Sequence, residues 1–403
     1  MSNYVDKSQY RNNPLKIAPF YVKDANDIDK VVDEICGDEM CVEETSKICK
    51  NKIVSLTGGL SNRLFVVNDK ILVRLHGQEE EPVDENTSCS SSLMDREDEN
   101  HVSAFLSQLN IGPTIFGRFQ NGRLEEFYAN TQPLTYCEMP QFSKEIAIHM
   151  ASLHKIKIMD NKYSGLSKNM LPSMSQRVNG WIKAIRKHCQ DDVKGEQKIN
   201  VEDFENVVEK WSWLENHLNE SYPSNILDST ENSIKYRSLV WIREMVFTHM
   251  DLQSLNLLKP SDPSKTNHPG SLKMIDFEYA GINPRAADIA NTFCEFCDMN
   301  NLHPNYGSQY PSASIQNEFL ISYIEAADSK FSLSLSSDGD WTICLDTLRL
   351  EIERFTLSSH LGWALWSLLQ KIESPINFDF LMYASIRLDG FKFFKEKLCP
   401  DLS

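Results

Sequence analysis

The sequence predicts an α+β protein of two lobes, a small β-rich lobe followed by a larger, mainly helical lobe, with a cleft between them. Three observations lead to this fold class. Runs rich in β-forming residues, separated by turn residues, fill residues 53 to 77 and 114 to 128. Beyond residue 130 the apolar residues recur at three- and four-residue spacing, which is typical of helices. Two polar hairpins, containing Asp251 and Asp276, interrupt this helical part.

The composition is that of a globular protein. The chain has 403 residues, of which 41% are apolar and 24% are charged. Its net charge of -16 disfavours general binding to nucleic acid or to an anionic membrane and favours a cationic ligand. No apolar stretch has the length of a membrane helix, and the N-terminus MSNYVDKSQYRNN lacks the apolar segment of a signal peptide. We therefore expect a cytoplasmic protein with reduced cysteines, no nucleic-acid partner and no integral membrane segment.

The first lobe is predicted over residues 1 to 130. Residues 1 to 50 form an N-terminal extension, in which apolar spacing from 26 to 50 predicts a helix. The segment IVSLTGGLSNRLFVVNDKILVRLHG predicts three strands, with Gly58 and Gly59 in the first turn. A strand rather than a helix follows these glycines, so they are not a dinucleotide fingerprint.

An acidic, serine-rich stretch separates these strands from the rest of the first lobe. Residues 79 to 98 lack an apolar period, so we expect a mobile loop. The apolar residues from Val102 to Leu109 recur at helical spacing and predict a helix that ends at IGP. The segment TIFGRFQNGRLEEFY then predicts a hairpin that turns at Asn121-Gly122.

The second lobe is predicted over residues 131 to 403 and is mainly helical. Segments such as SKEIAIHMASLHKI, QNEFLISYIEAA and LRLEIERFTLSSHLGWALWSLLQ have helical apolar spacing. Two short apolar runs in this lobe, FTHMDLQSLNLL and LKMIDFEYAG, contain carboxylates. Because an ionised carboxylate is costly to bury unless a cation pairs with it, these residues are predicted to act as ligands or as a base.

Asp251, Asn256 and Asp276 match what phosphoryl transfer needs. Such an enzyme requires a carboxylate at the accepting hydroxyl and oxygen ligands for magnesium. Asp251 and Asn256 have the D-x-x-x-x-N spacing of a catalytic loop, and Asp276 begins a D-F-E triplet after an apolar strand. His249, two residues before Asp251, is expected to brace the loop. Each signal is weak by itself, since capping and turn residues also bracket strands, but their order along the chain favours a kinase-like site.

The first lobe offers a cation for the phosphates. Arg74 ends the third predicted strand and precedes a helix that bears Glu99. In kinase-like lobes a strand cation pairs with a helix carboxylate and is thereby fixed against the phosphates. We therefore predict that Arg74 pairs with Glu99. Glu97 and Asp98 are alternative partners on the same helix, and an ordinary surface arginine is the alternative interpretation of Arg74.

The order of these motifs resembles the choline/ethanolamine kinase family, which has the protein-kinase-like fold. Six segments between residue 58 and about residue 390 carry the resemblance: GGLSNRLFVV, VRLHG, GPTIFGRFQNGRLEEF, FTHMDLQSLNLL, MIDFEYAGINPRAADIANTFCEF and SSHLGWALWSLLQ. The resemblance implies ATP-dependent phosphorylation of the hydroxyl of choline or ethanolamine, the first step towards the corresponding phospholipids. It also implies Mg2+ as cofactor, ATP as co-substrate and, since the family is often dimeric, a homodimer.

The resemblance also implies a role for each matching residue. Asp251 is the implied catalytic base, and Asn256 and Asp276 are the implied magnesium ligands. Adenine is expected on the backbone of the strand NGRLEEF. The residues implied at the nucleotide are Gly58, Gly59, Ser61, Asn62, Arg74, Glu99, Arg123, Glu125, Glu126, Phe127 and Gln253. The residues implied around the amino alcohol are Tyr279, Glu295, Trp363, Trp366, Phe378 and Tyr383.

The acceptor pocket is expected to favour choline. A quaternary ammonium has no N–H donor, so aromatic faces and a carboxylate must hold it. Trp363 and Trp366 share one helical face, a pattern that without the family resemblance would more often indicate core packing. A primary ammonium requires acceptors instead, and the segment FDFLMYA is also typical of ethanolamine kinases. Choline is therefore the predicted substrate, with ethanolamine as a secondary one.

Two departures from the family pattern leave other functions open. Met250 stands where the family commonly has asparagine, and Leu255 stands where glycine is common. They motivate the alternative of a catalytically silent kinase-like scaffold, beside the alternative of an ethanolamine kinase. An aminoglycoside-type phosphotransferase or a protein kinase would share the catalytic aspartates. However, DFEYAGINPRAADIAN lacks the A-P-E of a protein kinase, and tryptophans rather than acidic residues mark the acceptor site.

Overall fold

The structure, a computed structural model, describes residues 16–37, 51–56, 62–76, 96–157, 171–191, 199–219, 230–265 and 271–398. The predicted glycine turn with Gly58, Gly59 and Ser61 lies outside these ranges, as do residues 77 to 95 of the acidic segment. The described part of the chain divides into two compact units. The first contains the residues up to 76, 99–132 and 260–262, and the second contains 96–98, 133–259 and 263–398.

A six-stranded sheet forms the framework of the first unit. Its strands are β1 (Lys16–Ala18), β2 (Ile53–Leu56), β3 (Asn62–Val67), β4 (Ile71–His76), β5 (Ile115–Phe119) and β6 (Gly122–Glu126). The order across the sheet is β1-β5-β6-β4-β3-β2. All neighbours are antiparallel except β1 and β5, which are parallel. The predicted three-strand meander and the predicted hairpin are therefore confirmed.

Helix α1 (Ala25–Cys36) packs its apolar face on this sheet. The Asp24 side chain caps its N-terminus by accepting from backbone N–H groups of the first turn. Strand residues Val73 and Leu124 are buried in the same apolar cluster as the helix. The helix predicted to reach residue 50 ends at Cys36 instead, because Gly37 adopts a φ of 64°, a left-handed conformation that stops a helix. Residues 38 to 50 lie outside the described residues.

Helix α2 (Arg96–Gln108) follows the acidic segment. Residues 96 to 98, predicted as the end of the mobile loop, belong to this helix. Their polar sequence gave no helical signal, because the apolar spacing starts only at Val102. Val102, Phe105 and Leu106 are buried, as that spacing predicts.

The second unit is mainly helical, as predicted. Its helices are α3 (Ser143–His154), α4 (Met174–Asp191), α5 (Val201–Asn219), α6 (Thr230–Ile242), α7 (Arg285–Cys294), α8 (Tyr306–Gln309), α9 (Ala313–Ala327), α10 (Ser329–Leu333), α11 (Asp338–Glu373) and α12 (Phe380–Leu398). Strand β7 (Thr131–Pro133) precedes these helices in the chain. The remaining short strands are β8 (Met245–Thr248), β9 (Leu257–Pro260), β10 (Lys273–Met274) and β11 (Gly281–Pro284). Single 3-10 turns span Tyr136–Glu138, Ser254–Asn256 and Pro263–Lys265.

The long helix α11 forms the centre of the second unit. It packs against α4, α5, α6, α7 and α12. Almost every residue from Phe355 to Leu365 is buried, including Trp363. This helix therefore carries aromatic residues of the predicted acceptor pocket into the interior. None of the helices in the described ranges is long and apolar enough to cross a membrane.

Candidate active site

Two strand pairs bring Asp251 and Asp276 together. Strand β8 leads into Asp251 and pairs antiparallel with β11, which follows Asp276. Strand β9 follows Asn256 and pairs antiparallel with β10, which leads towards Asp276. The N–H of Ile275 also donates to the carbonyl of Asn256 at 3.1 Å, which continues this ladder. The three residues that the sequence assigns to catalysis thus lie at the ends of paired strands.

The Asp251 carboxylate is the centre of this group. Asn256 Nδ2 donates to Asp251 Oδ2 at 2.9 Å and to the Asp251 carbonyl at 2.8 Å. Gln253 Nε2 lies 3.4 Å from the same Oδ2. Burial raises the pKa of Asp251 well above its ordinary value, and the negative charges of Glu295 and Asp276 add to the shift. A raised pKa suits a group that must take up a proton.

Met250 and Asp276 both have left-handed backbone conformations, with φ of 63° and 66°. Residues other than glycine rarely adopt such values, and they do so where the surroundings enforce them. At Met250, Asp288 Oδ1 accepts from the backbone N–H at 2.7 Å, and Asn291 Nδ2 donates to the carbonyl at 2.9 Å. The loop is therefore held through its backbone, and the buried Met250 side chain needs no polar partner.

His249 connects the two loops. Its Nε2 donates to the carbonyl of Ile275 at 3.1 Å, and its Nδ1 accepts from the N–H of Asp251 at 3.3 Å. These two roles require the neutral tautomer that is protonated at Nε2. Burial lowers the pKa of His249, which favours the same neutral form. His249 thus fixes Asp251 relative to the residue that precedes Asp276.

Asp288 belongs to a second buried network behind the loop that carries Asp251. Its Oδ2 accepts from the N–H of His249 at 2.9 Å and lies 2.9 Å from His154 Nε2. The other ring nitrogen of His154 contacts the hydroxyl of Tyr323, to which Arg285 Nη1 donates at 3.1 Å. Burial by itself would raise the pKa of Asp288, but the hydrogen bond and charge of His154, together with His249, bring it below its ordinary value. Asp288 therefore stays ionised and holds two backbone N–H groups.

Asn256 and Asp276 offer oxygen ligands of the kind that Mg2+ prefers. The amide nitrogen of Asn256 donates both to the carbonyl and to the carboxylate of Asp251, so Oδ1 is the atom of this amide that could bind a metal ion. Within the described ranges, no group of three or more histidine, cysteine, aspartate or glutamate side chains could hold a metal ion. Two protein ligands are enough for Mg2+ in phosphoryl-transfer enzymes, where phosphates and water complete the coordination. The two residues therefore fit the predicted cofactor.

Five aromatic side chains form one continuous group, which we call the aromatic group. The rings of Tyr279 and Trp363 meet edge to face with centroids 5.0 Å apart. Trp363 and Trp366 meet in the same way at 5.5 Å. Tyr383 contacts Trp366 at 6.3 Å and Phe378 at 6.0 Å. The structure thus brings together the five aromatic residues that the sequence assigns to the acceptor.

The aromatic group lies beside the loop that carries Asp251. Burial raises the pKa of Tyr279 well above its ordinary value and that of Tyr383 to about 12, and the charge of Asp251 adds to both shifts. Asn291 provides a direct link as well. Its Oδ1 accepts from Trp363 Nε1 at 2.8 Å, while its amide nitrogen donates to the carbonyl of Met250 in that loop. The aromatic group and the loop therefore share one buried side chain.

Glu295, the carboxylate predicted at the acceptor, forms a buried ion pair with Arg387. Arg387 Nη2 donates to Glu295 Oε1 at 2.6 Å. The same guanidinium donates through Nε to the hydroxyl of Tyr383 at 3.0 Å. It also lies over the rings of Tyr383 and Trp363, 5.0 and 6.0 Å from their centroids. The predicted carboxylate is therefore present beside the aromatic group, but a cation of the protein already contacts it.

Arg74, Glu99, Arg123 and Glu125 form a buried ion cluster in the first unit. Glu125 accepts from Arg74 Nε through one oxygen and from Arg123 Nε through the other, both at 3.1 Å. Glu99 Oε1 accepts from Arg123 Nη1 at 2.7 Å. Arg74 and Arg123 are direct partners in the pairing of β4 with β6. The sequence predicts a direct pair of Arg74 and Glu99, and the structure places both in one cluster that Arg123 and Glu125 link together.

The strand predicted to receive adenine is hydrogen-bonded within the first unit. The N–H of Glu126 donates to the carbonyl of Thr114 at 2.7 Å, and that of Phe127 donates to the carbonyl of Lys70 at 2.9 Å. The Glu126 carboxylate also accepts from the Thr114 hydroxyl at 2.7 Å. Adenine could therefore contact this strand only through backbone atoms other than the N–H groups of Glu126 and Phe127. Asn62, also predicted at the nucleotide, begins β3.

Sequence reasoning did not single out Asp288, Asn291 or Arg387. Asp288 and Asn291 lie three residues apart on α7, a helix in which every residue is buried. A buried aspartate and a buried asparagine at helical spacing are a usable signal, because buried polar groups require partners. Arg387 follows Tyr383 by four residues on α12, so it lies on the same helical face as a predicted pocket residue.

This chain is similar in sequence to choline kinases and ethanolamine kinases. A sequence model of Choline/ethanolamine kinase matches residues 53–392. Probable choline kinase 2 of Arabidopsis thaliana is 27% identical over 362 residues, which cover 86% of this chain and 86% of that protein. Ethanolamine kinase 2 of Rattus norvegicus is 29% identical over 346 residues, which cover 84% of this chain and 74% of that protein.

A solved structure supports the fold class. The crystal structure of choline kinase from Cryptosporidium parvum Iowa II is similar with a TM-score of 0.69 and 26% sequence identity. The match covers 94% of this chain and 97% of that chain. The predicted protein-kinase-like fold, with a small β-rich part and a larger helical part, is therefore confirmed.

Proposed function

Because this chain belongs to the choline/ethanolamine kinase family, we propose that it transfers the γ-phosphoryl group of ATP to the hydroxyl of choline, with ethanolamine as a secondary substrate. The surroundings of Asp251 carry the proposal. Its charge interacts with Asp276, a proposed metal ligand, and with Glu295 and Tyr279 at the aromatic group. A proposed metal ligand and a proposed pocket for the cationic head group thus lie close to the proposed base.

In the proposed reaction, the hydroxyl oxygen of choline forms a bond to the γ-phosphorus. The bond from that phosphorus to the β,γ-bridging oxygen breaks, and ADP leaves. Asp251 accepts the hydroxyl proton, for which its raised pKa is suited. Asn256 orients the carboxylate through its amide nitrogen. Asn256 and Asp276 would hold Mg2+, which neutralises charge on the phosphates.

The first unit is proposed to bind the nucleotide. Arg74 is the proposed phosphate contact, and Glu125 fixes its guanidinium through Nε at 3.1 Å. Because Arg123 pairs with the second oxygen of Glu125, the carboxylate that contacts Arg74 is itself held in place. This arrangement supports the role that the sequence assigns to Arg74.

The composition of the aromatic group supports choline as the preferred substrate. A trimethylammonium group has no N–H donors and binds well to aromatic faces. A primary ammonium seeks hydrogen-bond acceptors, yet Glu295 Oε1 and the hydroxyl of Tyr383 already accept from Arg387. Two acceptors at the aromatic group are thus already engaged by a cation of the protein, which supports choline over ethanolamine as the preferred substrate.

A coupled assay of ADP release tests the proposal. The protein is supplied with MgATP and with choline, ethanolamine or no acceptor. We expect ADP release that depends on the acceptor, with a higher kcat/KM for choline than for ethanolamine. The alternative of a catalytically silent scaffold, suggested by Met250 and Leu255, predicts the same ADP release in all three mixtures. A higher kcat/KM for ethanolamine would support the ethanolamine kinase instead.

Substitution of the proposed base completes this test. Asp251→Ala should abolish acceptor-dependent turnover and leave ATP binding measurable by calorimetry. Asp346→Ala is the matched control, because Asp346 is an exposed carboxylate on α11 that pairs with Arg349. It should retain the wild-type rate. Turnover that survives in Asp251→Ala would contradict the assignment of the base.

A further inference from the structure

Arg387 is a buried cation inside a pocket proposed for a cationic substrate. Only 1% of its surface is exposed. A buried guanidinium is costly unless anionic or polar groups pair with it. Burial would lower the pKa of Arg387, but the charges and hydrogen bonds of Glu295 and Tyr383 raise it above its ordinary value. Arg387 is therefore permanently charged, and its role in the pocket requires an explanation.

The hydrogen bonds of Arg387 are directed at two residues of the pocket. Its Nη2 donates to Glu295 Oε1 at 2.6 Å and also contacts the hydroxyl of Tyr383 at 2.5 Å. Its Nε donates to that hydroxyl at 3.0 Å. Among the described residues it donates to no other group. Since Glu295 follows the end of α7 and Tyr383 lies on α12, one planar guanidinium joins two helices at the pocket wall.

We propose that Arg387 is a positioning residue for the amino alcohol, which fixes Glu295 and Tyr383 before the substrate arrives. The inference rests on the proposed function. A carboxylate and a ring that are already ordered need not lose freedom when the substrate binds, so more of the interaction energy appears as affinity. The ion pair also balances the charge of Glu295, so that the aromatic faces rather than a bare carboxylate select the head group.

The charge of Arg387 also acts on His360, a buried histidine on α11. His360 on α11 is fully buried, and its ring is so close to α12 that a Cβ on Gly390 would lie 2.3 Å from it. Burial and the charge of Arg387 bring the pKa of His360 well below its ordinary value, so the imidazole is neutral. His360 therefore adds no competing anion near Arg387, and Glu295 is the ion-pair partner of Arg387 among the described residues.

Steady-state kinetics of three variants test the proposal. Arg387→Met removes the charge at similar length, and Arg387→Lys keeps the charge without the planar fork. Glu295→Gln in the Arg387→Met background removes the carboxylate that would otherwise be buried without its cation. We expect Arg387→Met to raise the KM for choline by about tenfold or more while the KM for ATP changes by less than about twofold. Arg387→Lys should be intermediate, and the double variant should be no worse than Arg387→Met.

Lys397→Met is the matched control. Lys397 is a partly exposed cation on the same helix and pairs with Glu353, so its loss tests whether any ion pair of α12 has the same effect. We expect wild-type values of both KM. If Arg387→Met does not fold, Tyr383→Phe tests the same proposal, because it removes only the hydroxyl that Arg387 contacts. We expect Tyr383→Phe to raise the KM for choline and to leave the KM for ATP unchanged.

Two results would overturn this proposal while the proposed function survives. One is an equal rise of the KM for choline and the KM for ATP in Arg387→Met, which indicates a general structural role. The other is a choline KM in Arg387→Met that equals the wild-type value. A wild-type protein that turns over neither amino alcohol overturns the proposed function itself, so the two failures are distinguishable.

Discussion

Asn291 Oδ1 accepts a hydrogen bond from Trp363 Nε1 at 2.8 Å, within the buried interior of the second unit. The same oxygen accepts from the hydroxyl of Ser359 at 2.8 Å, and the amide nitrogen donates to the carbonyl of Met250 at 2.9 Å. One amide therefore orients the indole of the proposed pocket and the backbone of the catalytic loop. A change at this residue should affect both the binding of the amino alcohol and the chemical step.

Asn291→Ala should impair both steps. The substitution leaves the Met250 carbonyl and the Trp363 N–H buried without their partner, which costs about 1 to 3 kcal/mol in free energy of unfolding per group. We expect kcat/KM for choline to fall by roughly 10- to 100-fold through misplacement of the loop and the indole. Urea unfolding and the ADP-release assay measure the two effects.

Asn305→Ala separates lost stability from lost positioning. Asn305 caps the short helix α8 through its side chain and is exposed, so its replacement costs stability outside the proposed site. We expect it to keep the wild-type kcat/KM. An Asn291→Ala protein with normal kinetics would show that the link between loop and pocket has no catalytic role.

Replacement of Met250 should mainly lower the stability of the protein, whereas replacement of Asp288 should mainly lower kcat. Met250→Ala removes buried apolar contacts and should cost about 2 to 5 kcal/mol in free energy of unfolding. Because the loop is held through the backbone of Met250 by Asp288, kcat should stay within about threefold of wild type. Asp288→Asn keeps the shape but loses the charge and one acceptor, and should lower kcat by roughly 100-fold. The ratio of kcat between the two variants is the measurement, and a ratio near unity would contradict the backbone-held loop.

The residues proposed for catalysis could be predicted from the sequence more completely than the buried residues that hold them in place. Asp251, Asn256 and Asp276 interrupt apolar runs, and a carboxylate there demands a cationic partner or a function. The sequence signal of Asp288 does not identify its partners, because two of the groups that it holds are the backbone N–H groups of residues 249 and 250, which leave no mark in a sequence. Contacts of this kind depend on tertiary packing, so a local pattern does not contain them.

The ion cluster of the first unit shows the same limit. The sequence contains Arg74 and Glu99 in the expected order, but the link through Arg123 depends on the register of β4 against β6. That register follows from the packing of the whole sheet rather than from the two strands alone. Strand and helix periods were predictable, whereas helix ends were not, as Cys36 and Arg96 show.

Arg123→Met should destabilise the protein strongly. The substitution leaves Glu99 and Glu125 with less positive charge in a buried environment, and breaking such a pair costs about 3 to 5 kcal/mol. Urea unfolding provides the measurement. Lys52→Met is the control, because Lys52 and Asp69 form an exposed pair next to strands of the same sheet, which should contribute less than about 1 kcal/mol. Equal effects of the two substitutions would contradict a buried, mutually dependent cluster.

Asp251→Asn should abolish turnover and at the same time stabilise the ligand-free protein at neutral pH. Burial and the charges of Glu295 and Asp276 raise the pKa of Asp251 in the folded state. An acid with a raised folded-state pKa contributes stability below its unfolded pKa of about 3.9, and that contribution is lost as the pH rises through the folded-state value. Asparagine carries no charge at any pH, so the variant should gain roughly 0.5 to 2 kcal/mol in free energy of unfolding at pH 7.5, as is common where an active site costs stability.

The gain over wild type should shrink as the pH is lowered towards 4. Urea unfolding at a series of pH values measures it, and a variant that is less stable than wild type at pH 7.5 would show that Asp251 is a supporting residue rather than a strained base.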